Sequence, residues 1–71
     1  MDDRKSKFKK LAEKRVNKTL KSIQLIGNLS NRGNYEYSQE EVSAIFKAIR
    51  QELQIAESRF KINKKSDKFK L

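Results

Sequence analysis

The sequence predicts an all-α protein: an antiparallel hairpin of two helices, over about 4–26 and 39–60, that dimerises into a four-helix arrangement. Three observations lead there. Two stretches carry apolar residues at helical spacing, each confined to one side of a helix. The chain holds no proline and only two glycines in 71 residues, so little interrupts a helix. A capping signature ahead of the second stretch marks where that helix begins.

In the first stretch Phe8, Ala12, Val16, Thr19, Leu20, Ile23 and Ile26 recur at helical intervals. At 100° per residue they fall within an arc of about 120°, one apolar side of a helix. Asp2 or Asp3 is the expected cap, and Gly27 followed by Asn28 the expected stop. The connection that follows, through Tyr37, is long for a helical hairpin. It is expected to be ordered, because Leu29, Tyr35 and Tyr37 stand among turn formers and can cover the open end of the hairpin. Asn28, Asn31, Arg32, Gly33 and Asn34 suit left-handed or Asx-turn conformations.

The second helix has the clearer start. Ser38 stands three residues before Glu41, so the hydroxyl can accept from the Glu41 N–H while the carboxylate accepts from the Ser38 N–H. Tyr37 and Val42 take the apolar positions that flank such a cap, and Glu40 and Glu41 face the positive end of the helix dipole. Val42, Ile45, Phe46, Ile49, Leu53, Ala56 and Phe60 then share an arc of about 100°. The hairpin is assigned to residues 1–62, and residues 63–71, lysines spaced by Ser, Asp and Asn, to a basic flexible tail.

Composition removes several function classes. With no Cys and no His, the chain has no disulfide, thiolate or imidazole chemistry. No Gly-rich phosphate loop or nucleophile–base pair is present, and Glu36, Glu40, Glu41, Glu52 and Glu57 read as cap and helix-surface residues. No enzymatic activity, metal or cofactor is expected. No apolar run approaches the roughly 20 residues of a membrane span, and the charged start does not read as a secretory signal. A cytoplasmic protein is the expectation. So short a chain hides little apolar surface, which makes a homodimer the expected source of further burial. Ala44, Ala48, Ile55 and Ile62, on the far side of the second helix, offer one place for a neighbour; Leu25 also lies off the apolar side of the first helix.

Charge carries the functional reading. The net charge is +9, and it is segregated. Residues 1–21 hold nine Lys or Arg and three acids (+6), residues 22–60 four and five (−1), and residues 61–71 five and one (+4). Solubility needs no such division, whereas a polyanion-binding surface does. On the first helix Lys7, Lys10, Lys14, Lys18 and Lys21 fall within about 80° of one another, opposite the apolar side. Arg4, Lys5, Lys9 and Arg15 flank them. Held along one rod, these ammonium groups repel one another unless an anion screens them.

Lys61, Lys64, Lys65 and Lys68 extend the basic set, because an antiparallel hairpin brings the end of its second helix beside the start of its first. Lysine suits phosphate contact without base choice. Specificity, DNA or RNA, falls instead to the connection, where Asn28, Asn31, Arg32, Asn34, Tyr35 and Tyr37 combine hydrogen-bonding groups with rings that can stack. The expected function is that of a small nucleic-acid-binding accessory or regulatory protein. The alternative is an adaptor or inhibitor whose basic face docks on an acidic or nucleic-acid-binding surface of a partner protein. Membrane-surface binding is disfavoured, because the apolar side of the first helix is needed by the second and lacks Trp.

Overall fold

A computed structural model describes residues 3–62, which hold two α-helices, one short 3-10 turn and no strand. Helix α1 spans Asp3–Gly27, the 3-10 turn Asn28–Ser30, and helix α2 Gln39–Ile62. The chain divides into two units, residues 1–36 and 37–71.

In the first unit, α1 runs 25 residues without a break. Thr19 is the one polar member of its apolar side. Its hydroxyl donates to the Arg15 carbonyl at 2.8 Å, so the helix backbone satisfies the polar atom and the methyl group serves the apolar side. Asp3 lies inside the helix as the acid of its first turn rather than before it; the other expected cap, Asp2, lies outside the described residues. The α-helix ends at Gly27, where a stop was expected, but not through a left-handed glycine cap. Gly27 has φ −59° and ψ −31°, ordinary right-handed helix, and the chain tightens into the 3-10 turn before leaving helical geometry at Asn31 (φ −70°, ψ 99°). A glycine ends a helix when its freedom at positive φ is used, and here it is not.

The connection is ordered by hydrogen bonds instead. Gly33 N–H donates to Asn31 Oδ1 at 2.9 Å, an Asx turn. The Asn31 carbonyl accepts from the backbone N–H groups of Asn34 and Tyr35, both at 3.0 Å. The left-handed conformations expected for Asn28, Asn31, Arg32, Gly33 and Asn34 do not occur, since no described residue has a positive φ; only the Asx-turn alternative forms.

The second unit opens on the capping box. Ser38 N–H donates to Glu41 Oε1 at 2.9 Å and Glu41 N–H donates to Ser38 Oγ at 3.1 Å. Both bonds match the sequence expectation, and the Ser38 carbonyl accepts the first helical bond from Val42 at 3.1 Å. Helix α2 then continues for 24 residues, two beyond the expected end. Tyr37 and Val42, on either side of the cap, are both half-buried, as an apolar staple requires.

Among the described residues no side chain is fully buried. Ala12, Ile23 and Ile26 in the first unit, and Tyr37, Val42, Phe46 and Ile49 in the second, are half-buried. Phe8, Val16, Leu20, Leu53 and Phe60, also members of the two apolar sides, are exposed. Residues 63–71, assigned to a flexible tail, lie outside the described residues.

Candidate nucleic-acid interface

The uninterrupted course of α1 determines where its cations stand. Because Asp3–Gly27 is one α-helix, Lys7, Lys10, Lys14, Lys18 and Lys21 occupy a single face, and all five are exposed. From the first to the last the rise along the axis is about 21 Å. The face opposite holds the half-buried Ala12, Ile23 and Ile26, so charge and apolar surface are largely sorted to different sides from the third turn onward, Leu11 and Leu25 excepted. Ahead of that point the sorting fails. The expected place of Lys5 and Lys9 beside the lysine face is corrected: by helical angle both fall on the apolar side, so the first two turns carry cations nearly all round.

The helix dipole makes this arrangement unfavourable for α1 taken alone. The first turn of a helix favours anions and the last turn cations. In α2 the charges follow that rule, with Glu40 and Glu41 in the first turn and Arg59 and Lys61 in the last. In α1 they follow it only in part: Asp3 is the acid of the first turn, but Arg4 and Lys5 stand in that same turn, and the last turn has no basic residue. Helix stability accounts for the charges of α2 and not for those of α1. Sequence periodicity revealed the lysine face; its conflict with the dipole, a signal equally present in the sequence, was missed.

The remaining expected site residues are placed unevenly. Arg4 sits in the first turn of α1, exposed, and Arg32 lies in the Asx turn, also exposed. Lys61 is exposed in the last turn of α2, in the second unit, while Lys64, Lys65 and Lys68 lie outside the described residues. In the connection, Asn28 opens the 3-10 turn and Asn31 commits its side-chain oxygen to Gly33. Asn34 and Tyr35 are exposed, Tyr35 with 49 % of its surface accessible. Tyr37 belongs to the second unit and is half-buried beside the capping box. The set expected to act together thus divides into turn-building residues (Asn28, Asn31), exposed ones (Arg32, Asn34, Tyr35) and a cap-flanking ring (Tyr37).

Leu25 adds a feature that periodicity alone undervalued. By helical angle it falls within the arc of the lysine face, one turn beyond Lys21, and 57 % of its surface is exposed. The lysine face therefore ends in an apolar residue. Among the described residues no cluster of His, Cys, Asp and Glu could hold a metal ion, and no helix is long and apolar enough to cross a membrane. Comparison with protein families, characterised proteins and solved structures finds no match.

Proposed function

We propose that the chain is a non-enzymatic nucleic-acid-binding accessory or regulatory protein of the cytoplasm, acting as a homodimer and holding phosphates along α1 with help from its C-terminal segment. The observation that carries this reading is the charge of α1: five exposed lysines on one face, with Arg4 and Lys5 set against the helix dipole in the first turn. A polyanion relieves both penalties. It screens the repulsion along the rod and offsets the bases that outnumber Asp3 in the first turn. The lysine face is also long enough to reach several phosphates: about 21 Å equals roughly six base-pair steps along a duplex axis at 3.4 Å each. Support for the homodimer is the apolar surface left exposed at Leu53, Phe60, Val16 and Leu20, which a small chain gains by covering.

A gel-shift titration with mixed-sequence duplex DNA and structured RNA tests the reading. Complexes should form at about 50 mM salt and weaken by orders of magnitude towards 200 mM, as counterion release requires. Absence of a complex with either probe at the low-salt end would overturn it.

A further inference from the structure

Helix α2 carries a seam more regular than its amphipathic character requires. Val42, Phe46, Ile49, Leu53, Ala56 and Phe60 are spaced by alternating steps of four and three residues. That repeat keeps apolar positions on the contact line of two supercoiled helices. The seam is not uniformly exposed. Val42, Phe46 and Ile49 are half-buried, whereas Leu53 and Phe60 stand 56 % and 66 % exposed. The C-terminal half is the bare one.

The residues beside the seam discriminate among the ways a second copy of α2 can be laid on it. Glu52 and Arg59 line one flank, Arg50 and Glu57 the other, and all four are exposed. Each flank therefore carries one acid and one base a heptad apart. Two copies of α2 laid parallel in register would set Glu52 against the partner's Glu57, like against like. Two antiparallel copies aligned over the whole seam would place Glu52 beside the partner's Glu52, and Arg50 beside the partner's Arg50. Sliding that antiparallel pair by one heptad removes every conflict. Glu52 then meets the partner's Arg59, Arg50 meets the partner's Glu57, and the two-fold axis repeats both pairs. In the core of this register Ile49 packs on the partner's Phe60 and Leu53 on the partner's Ala56, again twice. The register selected by charge is the one that covers the bare half of the seam.

We infer that the partner of α2 is a second copy of α2, antiparallel, centred on the Leu53 and Ala56 layers and held in register by Glu52–Arg59 and Arg50–Glu57 pairs across the interface. This rests on the homodimer proposed above and adds its surface, direction and alignment. It does not depend on nucleic acid. A contact of about 18 Å is short beside a standard interface, so association should depend strongly on concentration.

Sedimentation equilibrium over a wide concentration range, with far-ultraviolet circular dichroism as a check on helix content, tests it. The wild-type chain should self-associate to a dimer. Glu52→Arg and Arg59→Glu should each weaken the dimer by about ten-fold or more, because each converts two attractive contacts into repulsive ones. The double variant Glu52→Arg/Arg59→Glu should recover the wild-type constant. A dimer that ignores both single changes, or is not rescued by the double change, overturns this register and leaves the homodimer standing. A chain that stays monomeric at the highest concentration overturns both.

Discussion

Asn31 accepts three hydrogen bonds from the residues that follow it: one on its side chain from Gly33 and two on its carbonyl from Asn34 and Tyr35. Only the first depends on the side chain, so Asn31→Ala should speed amide exchange at Gly33 while Asn31→Asp, which keeps the acceptor, should not; two-dimensional NMR exchange measurements read this directly. Ser38 and Glu41 form the other polar device, with bonds running in both directions. Ser38→Ala should cost about 1 kcal/mol of stability in thermal melts. Combining it with Glu41→Ala should cost less than the two separate losses added together, because the pair acts as one unit. Both devices were legible in the sequence, since an Asx turn and a capping box each need particular side chains at fixed short spacing. The place where α1 ends, Gly27, was legible too, but not its backbone, because a glycine can end a helix with positive φ or, as here at −59°, pass into a 3-10 turn. A Cβ built at Gly27 meets nothing within 4 Å. Gly27→Ala should therefore stabilise the first unit by about 0.4–1 kcal/mol, mainly by restricting the unfolded chain, and raise helix content.

At the scale of elements, the two helices are close in length, 25 and 24 residues, yet their charges obey different rules. Helix α2 has acids at its start and bases at its end, an arrangement that stabilises it without a ligand. Helix α1 gains little from the dipole and bears the repulsion of its own lysines. Replacing Lys10, Lys14 and Lys18 by Gln should consequently leave helix content unchanged or slightly higher while weakening nucleic-acid binding. If all three contact duplex phosphates, the slope of log K against log salt should fall by about 0.9 for each. A loss of helicity in this triple variant would instead assign the lysines to the fold. The existence, type and approximate extent of both helices could be read from periodicity, because apolar arcs of about 100–120° admit few other structures. Their ends were less legible. The extra turn after Gly27 depends on how the backbone tightens through Asn28–Ser30, and no residue type there announces a 3-10 turn.

For the whole molecule, stability must come from covering apolar surface that the described residues leave in water. Phe60, Leu53, Leu25 and Phe8 are each more than half exposed. Such surface is the ordinary signature of an interaction site when it is contiguous, and the α2 seam is contiguous along one side. What covers a face is not written in the periodicity that creates it: the same stripe serves a helix of the same chain, a second copy or a foreign partner, and only flanking charge distinguishes them. Thermal stability should accordingly rise with protein concentration, and a midpoint independent of concentration over a hundred-fold range would contradict the homodimer. The absence of any positive φ among the described residues has a separate consequence, for mutational tolerance. No described position depends on the left-handed backbone that favours glycine, so chirality places no residue of residues 3–62 under constraint. Even Gly33 is restricted by a neighbour rather than by its backbone, since an added Cβ would lie 3.1 Å from Asn31 Oδ1. A saturation scan should thus find Gly33 intolerant through crowding of Asn31 Oδ1, the acceptor of its own N–H bond, and Asn31 and Ser38 intolerant through the hydrogen bonds their side chains accept.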